Sequence, residues 1–138
     1  MLFEEAIQRY DAALGGLGYA TEVGSEDGTC EIGFVRAGET FYLEVREEEP
    51  DLARFTLSYA LDDAVKRDRS RLAELAAGNT SACLGASTVI DEDGDVEFRH
   101  DAFLPADGKL GPVLERILDA LESAQQRFFS KLAGPTTV

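Results

Sequence analysis

The chain has 138 residues, the usual size of one domain, with 44% hydrophobic and 29% charged residues, so it is too apolar for a disordered segment. Its 27 acids against 13 bases give a formal net charge of −14, which repels a phosphate backbone or an anionic leaflet. No nucleic acid and no membrane is therefore expected as partner; the acidity most simply keeps the protein soluble and its copies apart, and it also suits a basic partner.

The first element is an amphipathic helix over about Leu2–Leu17. Phe3, Ala6, Ile7, Tyr10, Ala13, Leu14 and Leu17 recur at three- and four-residue spacing. Gly15-Gly16 and Gly18 end it. Its amino-terminal stretch lacks a basic region followed by an apolar core, so a signal peptide is not expected, and the expected location is the cytoplasm.

Four strands follow as an antiparallel meander. Tyr19–Gly24 turns through Ser25-Glu26-Asp27-Gly28 into a strand with Cys30, Ile32 and Phe34 inward. Ala37-Gly38-Glu39 turns into Phe41, Leu43 and Val45, with Tyr42, Glu44 and Arg46 on the wet side. Glu47-Glu48-Glu49-Pro50-Asp51 reads as an acidic loop, and Phe55, Leu57, Tyr59 and Leu61 point inward on the fourth strand.

A second helix opens after Asp62 or Asp63 and stops at Gly78-Asn79. Its apolar stripe is thin: Val65, Leu72, Leu75 and Ala76. Lys66, Arg67, Arg69 and Arg71 crowd its first half, most simply as a solvated face, or else as a contact with a second copy. A hairpin over about Ala82–Leu104 turns at Asp91-Glu92-Asp93-Gly94, and Pro105 stops it. The last helix opens at Gly111-Pro112 and carries a wide stripe through Leu114, Ile117, Leu118, Leu121, Ala124, Phe128 and Leu132. The expected architecture is one α+β domain over residues 1–133: helix, four-stranded antiparallel meander, helix, β-hairpin, helix. Residues 134–138 are expected to be a flexible tail, and its Thr136-Thr137-Val138 is a weak match to termini that PDZ domains capture.

No catalytic, metal or cofactor site is expected. An EF-hand loop with Gly94 sixth begins at Val89 and ends at His100; with Gly28 sixth it begins at Val23 and ends at Phe34. Both lack the defining oxygen ligands. His100 is the sole histidine and shares a strand face with apolar residues. Cys30 and Cys83 have no CxxC spacing and read as small buried hydrophobes. Accidental carboxylate pairs leave a carboxylate-metal enzyme as a third, minor reading.

Partner-facing candidates are aromatic. Phe128 and Phe129 stand about 100° apart around the last helix, so they do not both centre one core stripe. Tyr42 faces outward from the meander. The second helix supplies the candidate dimer contacts Arg67, Arg71, Leu72 and Leu75.

The element order and its wording resemble the type III secretion chaperone-like superfamily, in its YbjN-like and Tir-type chaperone branches. The residues that carry this are Leu14-Gly15-Gly16-Leu17-Gly18-Tyr19, Asp27-Gly28 before a strand and Asn79 after the second helix. The run Ser87–Arg99 and the Phe103-Leu104-Pro105 strand end complete it. The resemblance implies a non-enzymatic homodimer holding a segment of a partner protein, such as a secreted client. The alternative it implies is a stand-alone regulatory domain of the YbjN type.

Overall fold

The computed structural model describes residues 2–105 and 108–134; the expected tail beyond Gly134 lies outside the described residues. The chain forms α1 (Phe3–Gly16), β1 (Thr21–Glu26), β2 (Thr29–Arg36), β3 (Glu39–Arg46) and β4 (Glu49–Tyr59). Then come α2 (Asp63–Lys66), α3 (Arg69–Ala82), β5 (Ser87–Ile90), β6 (Val96–Phe103) and α4 (Gly111–Ala133). The four-stranded meander and the hairpin fuse into one antiparallel sheet of order β1-β2-β3-β4-β6-β5.

Two-residue loops close the first two hairpins. Asp27-Gly28 and Ala37-Gly38 all have positive φ, as a type I′ turn demands. The alternation read from sequence holds: Cys30, Ile32, Phe34, Phe41, Leu43, Val45, Ala53, Phe55 and Leu57 are buried on one face. The helices cover that face with Ala6, Tyr10 and Leu14 of α1, and with Leu114, Leu118, Leu121, Ala124 and Phe128 of α4. Fully burying one such large side chain stabilises by about 1.5–3 kcal/mol. The opposite face is left to water.

Several expectations on element boundaries need correction: β1 runs Thr21–Glu26 rather than Tyr19–Gly24, so Ser25 and Glu26 belong to the strand and not the turn, and the second hairpin begins at Ser87 rather than Ala82, which is the last residue of α3. The acidic loop is only Glu47-Glu48, because Glu49, Pro50 and Asp51 already belong to β4. The register shifts between Val45 and Arg46, and the irregularity accommodates Pro50, whose carbonyl accepts from the Tyr10 hydroxyl at 3.2 Å. The second helix is two helices. The Asp68 carboxylate caps the longer one by accepting from the Arg71 backbone N–H at 3.1 Å. Nor does that helix end at Gly78-Asn79, since α3 continues to Ala82. Asn79 is 3% exposed and serves as an internal tie rather than a terminator.

Candidate functional site

A sheet has two edges, and here they differ. At β5 the edge is closed by α3. The Thr80 hydroxyl accepts from the Thr88 backbone N–H at 2.8 Å and donates to the Thr88 carbonyl at 3.4 Å, occupying a site where another strand would pair. Asn79 holds this arrangement from beneath. Its amide donates to the Thr88 hydroxyl at 2.8 Å and to the Ala124 carbonyl at 2.9 Å, tying α3, β5 and α4 together.

At β1 the edge is open. The Asp27-Gly28 loop makes Glu26 and Thr29 a hydrogen-bonded pair, so Glu22, Gly24 and Glu26 spend their backbone groups on β2. Thr21, Val23 and Ser25 therefore aim their N–H and C=O groups away from the sheet. Among the described residues no hydrogen bond covers them. Every residue of β1 after Thr21 is exposed, and Val23 stands at 49%.

Beside this edge, on the wet face, lies a concavity of about 640 Å³. Its lining includes Glu22, Glu26, Asp27, Glu31, Gly24, Gly33 and Tyr42, with no basic residue. The register lays these side chains in rows across the strands. One row is Glu22, Gly33, Tyr42 and Thr56; the next is Gly24, Glu31, Glu44 and Arg54. Tyr42 lies over Gly33, where an added Cβ would sit 3.1 Å from the ring. Glycine at 33 thus permits the ring to cover backbone, while glycine at 24 leaves its row empty at the edge.

The aromatic candidates separate. Tyr42, 38% exposed, lines the concavity. Phe128 is completely enclosed and packs edge-to-face on Phe98 at 5.7 Å, so it is core and does not face a partner. Phe129 is half-buried on the helix side, 5.1 Å from the Tyr59 ring and 5.4 Å from Phe128. Tyr42 and Phe129 occupy opposite faces of the sheet and form no common patch. Desolvation drives the Tyr59 phenol well above its ordinary range, and Glu39 adds to the effect.

The candidate dimer contacts are largely engaged within the chain. Leu72 is 1% exposed in the core, and Leu75 is half-buried against it. Arg71 donates to the Leu132 carbonyl at 2.7 Å, near the end of α4. Arg67 remains exposed. The neighbouring bases act as clamps: Arg69 donates to the carbonyls of Asp91 and Glu92, and Lys66 pairs with Asp95 at 2.8 Å. That pairing, with the Leu61 N–H, holds the Asp95 carboxyl below the usual range. The stripe of α3 is thin because small residues and Asn79 face the sheet edge.

Asp91, His100 and Arg36 are tied up structurally. The Asp91 carboxylate accepts from the backbone N–H groups of Asp93 and Asp95, which makes a turn of the acidic loop. The His100 ring Nδ1 meets the Gly85 carbonyl. Arg36 leaves the end of β2 beneath α4 and meets Glu115, Asp119 and Glu122, with Nε donating to the Tyr19 hydroxyl at 3.0 Å. Burial works against its charge, but the bonds to Asp119 and Tyr19 and the Glu122 carboxylate outweigh it and raise its pKa. Among the described residues no group of His, Cys, Asp and Glu is arranged to hold a metal ion, and no helix is long and apolar enough to cross a membrane.

Val23, Gly24, Glu22 and Glu31 were not singled out from sequence as site residues. The available signal was glycine inside strands, at 24 and 33, which marks a bulge or a close approach.

The fold is shared with solved structures. An uncharacterized protein from Methanothermobacter thermautotrophicus superposes with a TM-score of 0.73 at 7% identity, over 93% of this chain and 96% of that one. A chain of the HopA1-SchA chaperone-effector complex superposes with a TM-score of 0.57 at 15% identity, over 94% of this chain and 100% of that one. At such identities the likeness is one of fold. No curated protein matches the sequence. The model of the YbjN family, described as "Putative bacterial sensory transduction regulator", matches residues 6–133. With nearly the whole domain matched, and the secretion-chaperone-like fold that the sequence suggested, this chain belongs to the YbjN family.

Proposed function

We propose that this protein is a non-catalytic binding module that takes an extended segment of another protein as an added strand on β1. The observation that carries this is the contrast between the edges. One is closed by a side chain placed on its backbone groups, while the other leaves the N–H and C=O groups of Thr21, Val23 and Ser25 pointing into water. Natural sheets cover or blunt their edges, and β1 is blunted by charge alone, which leaves its backbone groups open to a strand of suitable charge. Main-chain bonds along an added strand supply affinity, and the side chains alongside supply selectivity. The fold likeness to a chain of a chaperone-effector complex supports this reading.

The test compares tagged wild type with Val23→Pro, which removes one outward N–H at an edge position that tolerates proline. A stoichiometric partner that leaves with the variant, together with slowed amide exchange at Thr21, Val23 and Ser25 in the wild-type complex, supports strand addition. A partner retained by the variant, or β1 amides that exchange equally fast in the complex, overturns it. Light scattering on the same samples tests the expected homodimer. With Leu72 enclosed, a contact through α3 would rest on Arg67 and Leu75.

A second reading, a stand-alone regulator without an extended client, is supported by the family description. Under it the partner survives Val23→Pro. In both readings the protein is placed in the cytoplasm.

A further inference from the structure

We infer that the β1 edge selects a basic segment, with Lys or Arg at alternate positions on its wet-face side. This rests on strand addition at β1 and names the chemistry of what is added. Side chains of an added strand alternate between faces, so every second one lies beside Glu22, Gly24 or Glu26. The position beside Gly24 is distinctive. Glycine leaves that row empty, with nothing within 4 Å of a notional Cβ, and the next side chain in the row is Glu31. An added strand stands two strand spacings from β2, about 10 Å. A lysine stem or an arginine fork extends across the empty row toward the Glu31 carboxylate, and shorter polar side chains fall short.

The position beside Glu22 meets that carboxylate first and then, across Gly33, the Tyr42 ring. An aromatic face next to carboxylates suits a cation doubly, by charge and by the ring quadrupole. The concavity's other carboxylates, Glu26 and Asp27, extend the same field, and no base in its lining offsets it.

A second copy of this chain is the competing occupant of an open edge, and charge argues against it. Antiparallel pairing of β1 with β1 brings Glu22 and Glu26 of one copy opposite or diagonal to the same acids of the other, within molecules that each carry −14. Like charges across strands destabilise the pair.

The experiment measures fluorescence anisotropy of three labelled ten-residue probes that alternate Thr with Lys, Thr with Gln, or Thr with Glu. The lysine probe is expected to bind most tightly and the glutamate probe not at all. Glu22→Gln/Glu31→Gln is expected to weaken the lysine probe by roughly 5- to 10-fold, as for two partly exposed ion pairs. The control Glu4→Gln/Glu74→Gln makes the same change in net charge at exposed positions of α1 and α3, and is expected to leave affinity within about two-fold. Gly24→Val fills the empty row at a position with open space around its Cβ, and is expected to weaken the lysine probe while sparing the glutamine probe. Equal losses in site and control variants would reduce the effect to net charge and overturn the inference. Equal binding of the lysine and glutamine probes, both lost in Val23→Pro, would overturn the basic preference and leave strand addition standing. Binding by none of the probes would count against both.

Discussion

The two edges of the sheet solve one problem in opposite ways. β5 is four residues long and closed by a hydroxyl from α3, which is itself fixed by a buried asparagine. β1 is six residues long, solvated on almost every side chain, and uncovered among the described residues. The difference teaches that leaving an edge open was not forced by the fold. The same chain closes one edge with two side chains, Asn79 and Thr80, and places acids rather than a cover along the other. Acidic side chains keep β1 from joining a second copy without keeping it from a basic strand.

That comparison is broken most severely at Asn79. Asn79→Ala leaves the Thr88 hydroxyl and the Ala124 carbonyl without their buried donor, and is expected to cost about 2–3 kcal/mol. Denaturant unfolding reads this as a lowered midpoint at unchanged slope. A loss under about 0.5 kcal/mol would mean that the tie holds nothing.

A smaller effect is expected at Thr80. Thr80→Val keeps the shape and removes the hydroxyl, so the Thr88 N–H loses its partner at a cost of about 1–2 kcal/mol. Amide exchange sharpens the contrast: Thr88 should become as fast as Val23 in the variant and be slower than Val23 in wild type. If the two amides exchange alike in wild type, the two edges are equally open.

The smallest effect lies on the open face between the edges. Arg54 forks onto Asp101 at 2.7 and 3.0 Å, and these bonds hold the Asp101 carboxyl below its ordinary range. A depressed carboxyl contributes stability that is present above its unfolded pKa and is lost as pH falls through its folded value. Both partners are substantially solvated, so the contribution is expected to stay below about 1 kcal/mol and to fade with salt. Asp101→Asn should flatten the acid limb of stability by that amount; an unchanged limb would show that the pair is fully screened.

Much of this was legible in order along the chain. Period-two alternation placed the inward residues of β2 and β3 and most of those of β4, because side chains of a strand must alternate and only one face was to be dried, whereas β1 shows no buried face to read. The Asp27-Gly28 turn was legible because few residue pairs tolerate two positive φ values in succession. Asn79 was misread because a helix-ending residue and a buried tie look alike locally. Its partners lie nine and forty-five positions away, and no local pattern names them. Spacing put Phe128 in the stripe of α4 and left Phe129 beside it, as the structure has them; that Phe129 meets Tyr59 rather than a partner was decided only by the packing of β4 and β6 against α4.

The sequence by itself determined the kinds of element, their order, the dry and wet faces and the acidity of the surface. These follow from local backbone preference and from the period of apolar residues, which act within a few positions. Tertiary structure alone decided which strand became an edge, which edge was closed, and that Glu22, Glu31 and Tyr42 share one concavity. Those outcomes depend on β6 pairing with β4 and on α3 docking against β5. Contacts between segments so distant in the chain are settled by packing as a whole, not by any stretch of residues read alone.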